Sequence, residues 1–385
     1  MMSSKPTILL LGPTDDYLKK VSAKADVVVI TEEARITRYQ RALIEPENIV
    51  NFDDLYALIR RAVILHAQIV FDGVYSFTEL GMEATSVLSK VLGIPGPSLS
   101  CSFTCRDKLL TRQALEEKQL NTVRFELIRP AVTMNGPLIA AGRKVIKPID
   151  GTGSVGVRIV EDGEGIPVSS EVCILEDFVG GREFSCETFS VNGKHFKLAV
   201  TEKILSGASG VVEVGHIVDP SEEIISPAHW VYLQQVLDAI GLRDGPGHIE
   251  FKLLDTEIHI IECHNRPGGD RIWSLVEIAT GFDMVSASVD LLLGGAVNVQ
   301  LHNSSCAAIH FFEYSPGVVR HCKEWQGSLA PDIHWLDWKL FSGMDIAPIT
   351  SSSDRYGGFI VSASTRSGLI RRIAEVERQF EVEVS

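Results

Sequence analysis

The stretch from His248 to Arg271, HIEFKLLDTEIHIIECHNRPGGDR, constrains this chain more than any other. Two apolar runs, Ile249–Leu254 and Ile258–Cys263, flank a polar tip at Asp255-Thr256-Glu257. Each run carries one acid, Glu250 and Glu262. Side chains alternate along a strand, so a hairpin turning at Thr256 sets these acids opposite each other on one face. Facing carboxylates repel unless something positive lies between them. Mg²⁺ meets that need, because it takes hard oxygen ligands and completes its shell with water and phosphate. Asn265 and Arg266 follow at once and bring an amide and a guanidinium to the same place. The competing reading is a solvated hairpin with two surface glutamates.

A phosphate site would complete the picture, and residues 147–156 read KPIDGTGSVG. Gly151, Gly153 and Gly156 let backbone N–H groups approach phosphate oxygens, Ser154 adds a hydroxyl, and Lys147 adds a charge. The short apolar runs Lys144–Lys147 and Val157–Val160 place this loop between two strands. A Walker loop would instead feed a helix and carry its lysine after the glycines. The plain alternative is a glycine-rich hairpin with a surface lysine. Next comes EDFVGGRE, residues 176–183. Glu176, Asp177, Phe178 and Val179 suit a nucleoside: the apolar pair presses on a base while backbone groups read its edge. Glu183 can accept from ribose hydroxyls. A charged strand end is the bland reading.

The rest of the chain organises around these motifs. Strands at Thr7–Leu11, Val27–Ile30 and Gln68–Phe71 alternate with helices at Asp16–Lys24, Phe52–Leu65 and Phe77–Leu92, which predicts a small parallel α/β domain. No GxGxxG follows Gly12. Gly93-Ile-Pro-Gly-Pro97 cannot continue a helix and marks a boundary. Thr104 caps a predicted helix over Cys105–Lys118, with Lys108 in its first turns. Hairpin strands flank Asn192-Gly193. Helices are predicted over Pro227–Ile240, Ile272–Thr280 and Met284–Leu292. Short strands follow Gly294, and a last helix covers Gly368–Gln379. The expected domains are residues 1–95, residues 96–300 with a lid-like part at about 145–205, and residues 301–385.

Composition narrows the partners. A formal net charge of -14 over 385 residues argues against a nucleic-acid binder. No apolar stretch is long enough to span a bilayer. Seven scattered cysteines without a second close pair form no zinc knuckle and fit a reducing, cytoplasmic setting.

The order of these motifs resembles the ATP-grasp superfamily: Lys108, then KPxxGxGSxGV from Lys147, then ExFVxGxE from Glu176, then paired acids with ExxNRPGGD. The resemblance implies an α/β ATP-grasp fold, with a Rossmann-like parallel domain before it and an α+β lobe after it. Thr201-Glu202-Lys203, Gly215-His216 and NRPGGD are similar to the bacterial L-amino-acid ligases, which make dipeptides and related natural products. By this resemblance Lys108 and Lys147 meet the ATP phosphates, with Lys203 also at the nucleotide. Residues Glu176 to Val179 form the adenine hinge and Glu183 the ribose acceptor. Glu250 and Glu262 hold Mg²⁺, for which Mn²⁺ is a substitute, and Arg266 steadies the transferred phosphoryl group. The usual ending Glu-x-Asn would put asparagine at 264. His264 stands there, so either Asn265 takes the ligand role or two glutamates and waters suffice.

The implied reaction joins a carboxylate to an amine through an acyl phosphate, with an amino acid or close analogue as one substrate, and releases ADP and phosphate. No enzyme nucleophile is needed. His216 would orient the amine or an acyl-phosphate oxygen, or be structural. Asp270 and Arg271 would hold an ammonium and a second carboxylate, or merely begin a helix. Residues 206–210, SGASG, would be a lid over a water-sensitive intermediate or an exposed loop. A carboxylating or formyl-transferring relative, a ligase for a carrier-protein thiol, and a non-catalytic nucleotide sensor stay open as alternatives. A homodimer is the default for a chain of this size.

Overall fold

The computed structural model describes residues 5–129, 139–167, 169–205, 212–302, 305–323 and 329–385. The chain opens with β1 (Thr7–Leu11), α1 (Asp15–Lys24), β2 (Asp26–Ile30), a short α2 (Arg38–Arg41), α3 (Leu55–Gln68), β3 (Gly73–Tyr75) and α4 (Glu79–Leu92). These strands form a parallel sheet in the order β2-β1-β3. Strand β1 shows no alternation of apolar and polar residues. Ile8, Leu9, Leu10 and Leu11 are all buried, as a parallel strand covered on both faces requires. The apolar run at 68–71 is not the third strand. Helix α3 extends to Gln68, and Gly73–Tyr75 pairs with Ile8–Leu10.

The single helix expected over 105–118 is two. Helix α5 (Leu99–Arg106) stops where Asp107 takes an extended conformation, and α6 (Lys108–Glu117) starts there. Asp107, not Thr104, is the cap, accepting from the N–H groups of Leu109 and Leu110. Lys108 therefore opens α6.

A four-stranded antiparallel sheet follows, built from β4 (Phe125–Ile128), β5 (Lys144–Pro148), β6 (Arg158–Val160) and β7 (Cys173–Asp177) in the order β4-β7-β5-β6. The glycine loop joins β5 to β6, as its flanking runs predicted. The next strands, β8 (Arg182–Val191), β9 (Lys194–Leu205) and β10 (Glu213–Val218), leave this sheet for a larger one, so the small sheet ends at Asp177 rather than near residue 205. After α7 (Pro227–Ala239), the hairpin β11 (Gly245–Leu254) and β12 (Glu257–His264) joins that sheet, and α8 (Ile272–Thr280) and α9 (Met284–Leu292) cover it. The tail supplies β13 (Cys306–Phe311), β14 (Gly317–Cys322), β15 (Ile333–Trp338), β16 (Asp345–Ile346), β17 (Gly357–Ala363), α10 (Arg366–Glu377) and β18 (Val382–Val384). The large sheet runs β12-β11-β8-β9-β10-β13-β17-β15, so the C-terminal strands continue the sheet that carries the acids.

One apolar cluster ties the first domain to this sheet, with Ile8, Leu10, Tyr17 and Phe77 against Trp273, Val276, Phe189 and Ile309. Tyr17 lies 5.0 Å from Phe77 and 5.4 Å from Trp273, ring centre to ring centre. Each such buried side chain contributes roughly 1.5–3 kcal/mol. Lys20 pairs with Glu277 and Asp283, and Lys24 with Asp290, along the same seam. The first domain is thus fixed against α8 and α9, and its residue Glu79 reaches the site described next. No helix among the described residues is long and apolar enough to cross a membrane.

Candidate active site

The acids face each other as expected, but through a different register: the turn is Asp255-Thr256, with Leu254 opposite Glu257, rather than a three-residue tip at 255–257. Glu250 pairs with Glu262 across β11 and β12, and a one-residue shift in register follows at once, leaving Ile261 over. Such bulges re-aim side chains at the edge of a sheet, where β12 lies. Each acid carries its own company. Glu250 contacts Lys203 Nζ at 2.6 Å and His248 Nε2 at 3.0 Å. Glu262 contacts Lys108 Nζ at 3.3 Å and His264 Nε2 at 3.5 Å. Behind them, Glu187 holds His248 Nδ1 at 2.9 Å, and Glu79 lies 3.2 Å from His264 Nδ1. The two imidazoles lie 5.6 Å apart, tilted by 28°. Burial alone would raise both glutamates toward neutrality. Lys203 and His248 hold Glu250 well below the usual carboxylate range, and Lys108 and His264 lower Glu262. Burial would also lower His248, but Glu187 and Glu250 push it up to about 9.

Apart from the fully buried Glu187, these residues line one cleft of about 340 Å³. Its apolar end is made by Val123, Val145, Val157, Ile159, Phe178 and Ile261. Arg143 stacks on Phe178 with its guanidinium carbon 4.0 Å from the ring centre. The glycine loop lines the same cleft. Gly153 and Gly156 have φ of 59° and 74°, which lets the chain turn back without side-chain strain. Ser154 adopts φ 62° between them. Lys108 Nζ donates to the Gly151 carbonyl at 2.7 Å, so one lysine touches both the loop and Glu262.

The hinge residues divide differently from expectation. Phe178 and Val179 line the cleft. The Glu176 carboxylate also borders it but is only 3% exposed, engaged by Arg112 Nε at 2.6 Å and Lys147 Nζ at 2.8 Å. Burial would raise Glu176, and these two cations outweigh it and hold it at about 2. The Glu176 carboxylate therefore anchors Lys147. Asp177 is tied to Lys144 at 2.5 Å. Glu183 shares Lys203 at 3.4 Å with Glu213 and Glu250, and meets Lys252 at 3.5 Å. Lys203 is buried, and although burial disfavours its charge, these three acids raise it well above its ordinary range.

At the other end Arg266 is clamped by Glu79 and donates to the carbonyl of its neighbour Pro267. His216 Nε2 lies 3.1 Å from Asp270, whose other oxygen meets Arg355 at 2.7 Å. Burial would raise Asp270, and His216 and Arg355 lower it instead. Arg271 turns away to Asp16 and Trp335 and stands at the start of α8, so of the two readings it follows the helix start and does not line the cleft to hold a second carboxylate. Arg355 supplies the guanidinium beside Asp270 instead. Asn265 is also turned away. Its amide donates to Ser102 Oγ at 2.9 Å in a buried contact, because position 265 falls on the opposite side of the strand from 264. His264, not Asn265, stands beside Glu262 in the cleft. Residues 206–210, read as a lid or loop, lie outside the described residues.

Sequence reading missed Glu79, Arg112, His248, Glu213 and Arg355. His248, two residues from Glu250 on the same strand face, was the one with a local signal. The others reach the site from distant elements.

Two ionised carboxylates on one face fit a divalent cation. Among the described residues no three His, Cys, Asp or Glu side chains are arranged to hold a metal alone. A cation here would draw the rest of its shell from phosphate and water, as Mg²⁺ does. Residues 105–270 match the family model of an ATP-grasp domain. The chain carries an ATP-grasp domain.

The match covers Lys108, Lys147, the glycine loop and both facing acids. The chain is 25% identical over 359 residues to an uncharacterized protein of Sinorhizobium fredii, covering 85% of this chain and 72% of that one. It is 24% identical over 189 residues to a D-alanine–D-alanine ligase of Pediococcus pentosaceus, covering 45% of this chain and 52% of the ligase. Its fold is similar to that of an L-amino acid ligase from Bacillus licheniformis, with a TM-score of 0.80, 18% identity and 100% of both chains covered.

Proposed function

We propose that this ATP-grasp chain is an ATP-dependent carboxylate–amine ligase that joins an amino acid, or a close analogue, through an acyl phosphate. The observation that carries this reading is the meeting, in one cleft, of Lys108, Lys147 and the glycine loop with the Glu250–Glu262 pair and Arg266. ATP fits the cleft's two-ended chemistry. Its base suits the apolar end beside Phe178, and its phosphates suit the glycine loop and lysines. Glu250 and Glu262 would hold Mg²⁺, which neutralises charge on the phosphate oxygens during transfer.

The protein's own residues then have separate roles. Lys108 and Lys147 orient the phosphates, and Arg266, fixed by Glu79, faces the transferred group or the substrate carboxylate as a planar donor. Glu79 and Arg266 belong to the first domain and the grasp domain, so the docking of the two domains sets that geometry. The carboxylate substrate attacks the γ-phosphate, ADP departs, and the amine displaces phosphate from the acyl carbon. Asp270, held between His216 and Arg355, offers an anion to the amine partner.

The test is a screen of amino-acid pairs and small dicarboxylates with ATP, reading phosphate release and product mass. ADP, phosphate and an amide formed together support the reading. A carboxylated or formylated product, a thioester on a carrier protein, or nucleotide binding without turnover would replace it with another ATP-grasp activity.

A further inference from the structure

Arg112 is the largest fully buried side chain among the described residues, 1% exposed, and nothing in the surrounding sequence hints at its use. It sits one turn after Lys108 on the same face of α6. Its Nε donates to Glu176 at 2.6 Å. Its other nitrogens donate to the carbonyls of Ile260 at 2.7 Å and Ile261 at 3.4 Å, where the register of β12 shifts. One guanidinium thus joins β7 of the small sheet to the edge strand that carries Glu262.

The second oxygen of Glu176 is taken by Lys147, which the proposed function places on the ATP phosphates. This creates a conflict. A lysine that is the sole partner of a buried carboxylate cannot turn toward a phosphate without stranding that carboxylate. Arg112 removes the conflict, because Glu176 keeps a counter-charge when Lys147 leaves it or shares itself. Arginine suits this position because it stays charged when buried and its fork reaches three acceptors at once.

We infer that Arg112 is a positioning residue for nucleotide binding, holding Glu176 so that Lys147 is free to engage phosphate. The inference rests on the reading that Lys147 meets the phosphates of ATP. Arg112 itself does not line the cleft, and α6 couples its effect to Lys108 and β12.

The experiment is titration of ATP with Mg²⁺ into the full chain and its variants, with thermal unfolding run beside it. Arg112→Met leaves Lys147 as the only partner of Glu176 and should weaken ATP binding by about tenfold or more. Adding Glu176→Gln to Arg112→Met removes the charge that captures Lys147 and should bring binding back to within about threefold of the unaltered chain. Arg112→Lys keeps a cation and should fall between, which keeps the test usable where Arg112→Met folds poorly. A purely structural arginine would leave the double variant as weak as Arg112→Met, and that result overturns the inference. Equal ATP affinity in Arg112→Met, Arg112→Lys and the unaltered chain would also overturn it. Lys147→Ala separates the two levels: if it leaves ATP binding unchanged, the reading of Lys147 fails and takes the inference with it. If Lys147→Ala weakens binding while the Arg112 variants do not, the inference alone fails.

Discussion

The acid hairpin and the glycine loop line the same cleft but are built on opposite terms. Around Glu250 and Glu262 every charge has a prebuilt partner, from Lys203 and Lys108 in front to Glu187 and Glu79 behind. His248, Glu187 and Lys203 are almost wholly buried. The loop is half open to solvent: Gly153, Val155 and Gly156 are exposed. Short-range backbone bonds hold it, such as Val155 N–H to the Thr152 carbonyl at 3.1 Å. On the proposed function the difference follows from what each would bind. A buried carboxylate pair is tolerable only if its charges are compensated before a metal arrives. A phosphate cradle of N–H groups needs only open backbone and the left-handed φ that glycine allows.

Substitutions can break this contrast, and the hairpin should respond most strongly. Glu250→Gln and Glu262→Gln should each lower turnover by on the order of a thousandfold, since each removes charge from the metal position. Steady-state assays with near-normal turnover in either would dissolve the pairing of roles. Both variants also leave a buried lysine short of a partner, so lower melting temperatures should accompany the loss.

The contrast extends to acid. Glu176 has a folded-state value of about 2, below the usual 4.5 for glutamate. Its contribution is fully present above pH 4.5 and is lost as pH falls toward 2, on the order of 3 kcal/mol in all. Acid unfolding monitored by circular dichroism should therefore be less steep between these values in Glu176→Gln. An unchanged slope would mean that Arg112 and Lys147 do not hold that carboxylate ionised.

A smaller effect is expected at the shifted asparagine. Asn265→Ala should cost about 1 kcal/mol of stability through its lost bond to Ser102 and leave metal-dependent turnover nearly intact. His264→Ala should disturb turnover more, since His264 contacts Glu262. The reverse ranking in kinetic assays would put Asn265 back at the metal. Smallest of all, Gly153→Ala should cost roughly 1 kcal/mol or less in stability. Its φ is 59°, but the nearest atom to an added Cβ is Ser352 Cβ at 3.9 Å. ATP affinity should fall more than stability does. A large drop in melting temperature instead would show that the loop is a structural element.

What the sequence disclosed follows the same division. The strand–loop–strand around the glycines and helices α8 and α9 were legible because each depends on local alternation or turn chemistry. The hairpin was legible too, but its register was not: Leu254 pairs with Glu257, and the acids meet only through the one-residue shift that leaves Ile261 over. The third parallel strand was misplaced because the apolar run at 68–71 satisfies both a helix end and a short strand. The break at Asp107 was hidden because an aspartate inside a helical pattern reads equally as an early helix residue or as the next cap. Glu79, Arg112 and Arg355 were invisible for a different reason. Their partners, Arg266, Glu176 and Asp270, lie far along the chain. Docking of the first domain brings Glu79 to Arg266, continuation of the large sheet by β13 and β17 brings Arg355 to Asp270, and the seat of α6 between β7 and β12 brings Arg112 to Glu176.

The central claim is that both sides of the cleft serve one nucleotide. Calorimetric titration of ATP with Mg²⁺ into the unaltered chain and into Lys147→Ala tests it most directly. Saturable one-to-one binding is expected in the first and a loss of about tenfold or more in the second, because the lysine that the proposed function places on the phosphates is removed. Binding of equal strength in both proteins, or none in the unaltered chain, would contradict it.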